Sequence, residues 1–127
     1  MTNNILTAFN DHFIEFVNDV HRVFPDDADI LTTKNALIAI RKANPKMIVK
    51  IWNTFIVSKY KSEIEAGNIE FFVNKDYSQD ISATNNSDKI MECIDRLREP
   101  IKNMSIENQS KVMKYIQNLT KLSQLCE

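Results

Sequence analysis

The chain of 127 residues contains a single glycine and has no Asn-Gly or Asp-Gly pair. Tight β-hairpins depend on such pairs because the central turn positions need positive φ angles, so their absence favours a helical fold. No apolar run approaches the roughly 18 residues of a membrane-spanning helix, and the first residues lack the pattern of a secretory signal. We therefore expect no membrane insertion and no export.

Cysteine and histidine are scarce, with two of each. Cys93 and Cys126 form no Cys-x-x-Cys pair, and we interpret them as free thiols in a reducing compartment. His12 and His21 are nine residues apart on one predicted helix, which places them on opposite faces. No glycine-rich phosphate loop or hydrolase motif occurs. We therefore expect no catalytic residue, no metal, no cofactor and no enzymatic activity.

Apolar residues recur at helical spacing, which predicts an all-α fold, a single-domain bundle of about five helices plus a short helical turn, spanning 1–127. The first helix should end before Pro25, and its apolar stripe consists of Leu6, Phe9, Phe13, Phe16, Val20 and Val23. The "PDDAD" carboxylates should cap a second helix that runs to about Ala43. Asn44 and Pro45 read as the start of a third helix, which should end at Ala66 with Gly67 in a left-handed conformation.

After Gly67, Asn68 should cap a short turn that folds Ile69, Phe72 and Val73 onto the core, followed by a polar loop near 74–86. A fourth helix should begin near Ser87, and Pro100 within its pattern should kink or break it near Glu99. Ser105 should cap a last helix. The predicted apolar face of that helix consists of Val112, Ile116, Leu119, Leu122 and Leu125.

Charge is distributed unevenly although the net charge is −1. Residues 30–62 contain seven Lys or Arg and no Asp or Glu, and Lys42, Lys46 and Lys50 are four residues apart. Together with Arg41 they form what we call the basic ridge. Three interpretations stay open: a face that is solvated or neutralised within the molecule, a site for an acidic protein, or a nucleic-acid site. The pI of about 6.1 argues against nucleic acid.

Two adjacent phenylalanines, Phe71 and Phe72, lie in the short turn before the polar loop. One short turn cannot bury both side chains equally against one surface. We expect Phe72 to be in the core and Phe71, with Lys75 and Tyr77 beyond it, to contact a partner.

The segments "EFFVNKDYSQD", "IVKIWNTFIVSKYKSEIEAGN" and "VMKYIQNLTKLSQL" resemble those of small helical proteins encoded by nucleocytoplasmic large DNA viruses. The positions that look most family-like are Phe71, Phe72, Asn74, Lys75, Asp76 and Tyr77. The resemblance implies a protein of the virion or the viral factory in the host cytoplasm, with capsid or factory proteins as partners. It implies no catalytic residues.

The leading hypothesis is a non-enzymatic helical module for protein–protein interaction, a virion-associated or structural component. The alternative is a nucleic-acid-associated or transcription-linked viral factor that uses the basic ridge. The residues that we expect to bind a partner are Phe71, Lys75, Tyr77, Arg41, Lys42, Lys46 and Lys50.

Overall fold

The fold is all-α, as the sequence predicts, in a computed structural model that describes residues 2–73 and 87–126. Those residues contain no β-strand. The helices are α1 (Thr2–Val23), α2 (Ala28–Ala43), α3 (Met47–Ile51), a π-helical segment (Trp52–Val57), α4 (Ser58–Glu65), α5 (Glu70–Val73), α6 (Ser87–Lys102) and α7 (Ile106–Leu125). The predicted loop at 74–86 lies outside the described residues.

Helix α1 packs mainly against α7 and α2 and contributes an aromatic stripe to the core. The side chains of Phe9, Phe13, Phe16 and Val20 are almost completely buried, which confirms the middle of the predicted stripe. Val23 was also predicted to belong to it, and this was wrong because Val23 is 40% exposed. Val23 is the last residue of α1, and the chain turns after it so that the following Phe24 packs against the core instead.

Helix α2 begins at the predicted acidic segment. The Asp27 carboxylate accepts hydrogen bonds from the backbone N–H groups of Asp29, at 2.9 Å, and Ile30, at 3.2 Å. These bonds satisfy N–H groups that have no partner within the helix. The predicted end at Ala43 is confirmed.

The third helix starts later than the sequence predicted and is not regular. Pro45 and Lys46 form a turn closed by the Met47 N–H, which donates to the Asn44 carbonyl at 3.1 Å. The Asn44 side chain caps this turn by accepting from the Lys46 N–H at 3.3 Å, while helix α3 itself begins only at Met47. The stretch from Met47 to Glu65 changes to π-helical hydrogen bonding between Trp52 and Val57. Tyr60 then has non-helical backbone angles, with φ −126° and ψ 19°.

Gly67 ends this stretch in the predicted manner, with a φ of +74°. The Asn68 N–H donates to the Glu63 carbonyl at 3.0 Å and the Gly67 N–H to the Ile64 carbonyl at 3.1 Å. This is the Schellman arrangement, which favours glycine because the left-handed conformation strains residues that have a Cβ, and glycine has none. Asn68 then caps α5 by accepting from the Glu70 N–H at 3.1 Å.

Helix α6 runs through Pro100 to Lys102, so the break expected near Glu99 was wrong. Pro100 lies in the last turn, where the missing N–H costs only one hydrogen bond and little helix follows. Ser105 caps α7 as predicted, with its Oγ accepting from the Asn108 N–H at 3.2 Å. The predicted buried face of α7 ends early, because Leu125 is 61% exposed.

Trp52, at the start of the π-helical segment, joins α1 and α7 in the centre of the bundle. Its ring meets the Phe13 ring edge-on, with centroids 5.6 Å apart. Its indole Nε1–H donates to the Thr120 hydroxyl at 3.2 Å, and that hydroxyl donates to the Ile116 carbonyl at 2.9 Å. The neighbouring Asn53 amide donates to the Ser123 carbonyl at 3.0 Å, so the π-helical segment is anchored to α7 by polar contacts.

The burial of Phe72 predicts the cost of truncating it. Phe72 is 1% exposed, and we expect Phe72→Ala to lower the free energy of unfolding by about 3 kcal/mol, because a cavity replaces the ring. Ile106 is 84% exposed, so Ile106→Ala should change stability by less than about 0.5 kcal/mol. Urea denaturation measures both. Equal small changes would show that Phe72 is not a core residue.

The Thr120 hydroxyl predicts a second stability difference. Thr120→Val keeps the shape of the side chain but leaves the buried Trp52 N–H without an acceptor, which should cost about 1–3 kcal/mol. Thr120→Ser keeps the hydroxyl and should cost only about 0.8 kcal/mol for the lost methyl group. Urea denaturation followed by tryptophan fluorescence checks the order. A serine variant less stable than the valine variant would show that packing dominates at this position.

Candidate protein-binding site

The expected partner-binding residues divide between two parts of the chain. Lys75 and Tyr77 lie outside the described residues, and Phe71 is described only as part of the α5 backbone. The prediction for these three therefore stays a prediction. The four residues of the basic ridge lie at the junction of α2 and α3, as the sequence suggested.

The basic ridge is not uniform. Arg41 is half-buried, and its Nη2 lies 2.6 Å from Oδ1 of Asp11 on α1, so this cation is neutralised within the molecule. Lys42, Lys46 and Lys50 are exposed and form no ion pair with any residue that the structure describes. Of the first interpretation, neutralisation within the molecule applies to Arg41 and solvation to the three lysines, and the two binding interpretations stay open.

An open groove lies beside the ridge, between the first half of α1, the second half of α2 and Pro45. Its volume is about 670 Å³. Most of the surface of the groove is apolar, and two cationic side chains also line it. The lining residues are Leu6, Thr7, Asn10, Ile14, Ile38, Arg41, Lys42 and Pro45.

Asn10 fixes one corner of this groove. The residue is 1% exposed, and its Nδ2 donates to the Pro45 carbonyl at 2.9 Å, which ties α1 to the turn between α2 and α3. Its Oδ1 is buried and has no hydrogen-bond partner among the residues that the structure describes. An unpaired buried acceptor costs free energy.

The sequence analysis missed the apolar part of this site, although a signal was present. Ile14 follows Phe13 directly and falls outside the main stripe of α1, while Ile38 follows Leu37 and falls outside the buried face of α2. Ile38 is half-buried and is not among the side chains that pack against the core. Apolar residues beside the core stripe, on two helices, are the pattern that would have indicated a surface groove.

A second group of polar residues joins α1 to α7. The Tyr115 hydroxyl donates to Oδ2 of Asp19 and lies 3.4 Å from Oε1 of Glu15, and the Tyr115 ring packs on His12 with centroids 4.8 Å apart. Burial, followed by the Asp19 carboxylate, raises the pKa of Tyr115 above its ordinary value. The phenol therefore stays protonated and acts as a donor at neutral pH.

The thiols are poorly suited to nucleophilic chemistry. Cys93 is 2% exposed, and burial raises its pKa to about 11, so the thiol is protonated at neutral pH. Burial also raises the pKa of Cys126. Within residues 2–73 and 87–126, no group of three or more His, Cys, Asp or Glu side chains is placed to hold a metal ion.

Two further findings bear on the class of protein. No helix in the described part of the chain is both long enough and apolar enough to cross a membrane. Comparisons of the chain with protein-family models, curated proteins and solved structures gave no match.

Proposed function

We propose that the protein is a non-enzymatic interaction module whose groove between α1 and α2 binds an acidic amphipathic helix of a partner protein. The observation that carries the proposal is an apolar groove lined by Lys42 and adjoined by Lys46 and Lys50, three lysines that form no ion pair within residues 2–73 and 87–126. Apolar grooves commonly bind the apolar face of an amphipathic helix. The chemistry of the groove is that of a binding surface, with apolar and cationic groups and no nucleophile beside a base.

The charges define the partner. Lys42 lines the groove, Lys46 follows Pro45 directly, and Lys50 lies one helical turn further along. Lys46, immediately before α3, and Lys50, near the C-terminal end of α3, thus extend the positive surface beyond the lining of the groove. A helix with one apolar face and acidic residues along its border matches this arrangement, and such complementarity favours fast and selective association.

Nucleic acid is the alternative ligand that the same three lysines could bind. A polyphosphate backbone would use Lys42, Lys46 and Lys50 but would leave the apolar lining of the groove in water. The groove therefore favours the peptide. The resemblance to proteins of large DNA viruses is the only support for a place in the virion or the viral factory of the host cytoplasm, and for capsid or factory proteins as partners. Phe71 remains a proposed second contact.

The lysines provide the direct test. A labelled model peptide with leucines on one helical face and glutamates along its border should bind, while a scrambled peptide of the same composition should not. The triple variant Lys42→Glu, Lys46→Glu and Lys50→Glu should weaken peptide binding by at least about tenfold, because each charge pair at a partly desolvated surface contributes. Fluorescence anisotropy measures both peptides.

A matched triple variant controls for net charge. Lys102, Lys114 and Lys121 are exposed and lie away from the groove, and changing all three to glutamate should leave peptide binding almost unchanged. Circular dichroism melts check that both variants fold. Equal binding of the scrambled peptide, or equal loss in the two triple variants, would overturn the proposal. Binding of DNA or RNA at low salt, without peptide binding, would support the alternative.

Asp11 generates an independent prediction about Arg41. The Asp11 carboxylate is paired with the Arg41 guanidinium. It therefore competes for that cation with a carboxylate of an incoming partner. Asp11→Asn should therefore strengthen binding of the acidic peptide by about two- to fivefold, the scale of one exposed ion pair. The same anisotropy titration measures the change, with Asp29→Asn, on an exposed position outside the groove, as the control. Weaker binding by Asp11→Asn would show that Asp11 positions Arg41 for the partner.

A further inference from the structure

A second pocket lies between the C-terminal half of α1 and the first half of α7, at the other end of α1 from the groove. Its volume is about 260 Å³, and Met104 of the α6–α7 connection closes one side. The floor consists of Phe16, Val20 and Val112, none of which is more than 4% exposed. A well-packed apolar floor beneath an open mouth is typical of ligand pockets.

Some polar groups at the rim of this pocket are paired within the protein, and others have no partner among the residues that the structure describes. The Asp19 carboxylate accepts from both Arg22 and Tyr115, so its charge is already satisfied. Lys111 forms no ion pair, and the side-chain amide of Asn108 forms no hydrogen bond, with any residue that the structure describes. These two residues are three apart on α7 and therefore lie on the same side of the helix.

The charge balance at the rim favours an anion. Arg22 and Lys111 are the cations and Asp19 is the single anion among the lining residues, which leaves an excess of positive charge. Arg22 uses one nitrogen for Asp19, and a guanidinium has five N–H donors. Lys111, Asn108 and the remaining donors of Arg22 can together bind one carboxylate.

The size of the pocket limits the rest of the ligand. Pockets for drug-sized molecules measure roughly 300–1,000 Å³, and the value of about 260 Å³ lies just below this range. The apolar floor suits a short aliphatic chain or one ring. Burial of such a group would remove the exposed part of Val23 from water, and Val23 is one of the few large apolar side chains that are exposed.

We propose that this pocket binds a small organic acid, with the apolar body on Phe16, Val20 and Val112 and the carboxylate at Lys111 and Asn108. The pocket shares no lining residue with the groove between α1 and α2. The proposal is thus independent of the proposed function, and either of them can fail alone.

Hexanoate is the probe, because it combines a short aliphatic chain with a single carboxylate. In titrations followed by ¹H–¹⁵N NMR, hexanoate should give saturable shifts centred on the backbone amides of Val23, Asn108 and Lys111. Hexylammonium carries the same chain with the opposite charge, and acetate carries the same head without the chain. Neither control should saturate this site in the concentration range where hexanoate does.

Variants identify the groups that bind. Lys111→Met keeps the apolar stem and removes the charge, and it should weaken hexanoate binding about tenfold, the effect of losing one hydrogen bond to a charged group. Lys114→Met is the matched control on the same helix and should leave the affinity within about twofold because it lies outside the pocket. Val23→Phe fills the mouth from an exposed position and should also weaken binding.

The NMR titrations distinguish specific binding at this pocket from its absence. Saturable shifts at the pocket that depend on Lys111 and on the volume beside Val23 establish the site. Equal affinities of Lys111→Met and Lys114→Met, equal binding of hexylammonium, shifts centred elsewhere, or no saturable shifts each overturn the proposal. The NMR spectrum of every variant shows directly whether it has kept the fold.

Discussion

The indole of Trp52 is the contact on which the arrangement of the helices depends. Trp52 is 1% exposed and touches α1 through Phe13 and α7 through Thr120, and these two helices are neighbours in the core. A purely apolar side chain could fill the same space in several orientations of the helix. The Nε1–H must find an acceptor when buried, and the Thr120 hydroxyl lies on only one face of α7. The hydrogen bond therefore selects one register between the π-helical segment and α7. The apolar stripes of the neighbouring helices pack in the arrangement that this register allows.

Local signals predicted most of the fold. The spacing of the phenylalanines in α1, the carboxylate of Asp27, the left-handed Gly67 and the Ser105 cap each depend on a few neighbouring residues, and the structure confirms them. The errors arose where more distant residues decide. Asn44 and Pro45 resemble a helix start, but the bond from Asn10 holds the Pro45 carbonyl in a turn. No local pattern marks the π-helical segment, because its anchors, Thr120 and Ser123, come about 70 residues later.

The candidate site was only half predictable for the same reason. The lysine spacing is visible in the sequence, and Lys42, Lys46 and Lys50 are exposed as expected. The ion pair between Arg41 and Asp11 joins two helices, so no spacing rule could have separated Arg41 from the lysines. The apolar lining of the groove likewise forms only when α1 and α2 pack together. The pocket beside Lys111 depends on residues from both ends of the chain, and the sequence analysis did not include it.

The π-helical segment has a further consequence for the direction of the chain that follows it. In a regular α-helix, residues 52 and 64 would differ by about 120° around the axis, because each residue advances about 100°. The wide π turn accommodates an extra residue, and the non-helical backbone at Tyr60 adds a second change, so the two positions depart from this regular difference. Trp52 and Ile64 are both buried, and the Ile64 carbonyl accepts from Gln117 on α7 at 2.9 Å. The irregular backbone thus changes the helical phase within this stretch, so that the π-helical segment and α4 both pack on α7 while α3 before them packs on α1, α2 and α6.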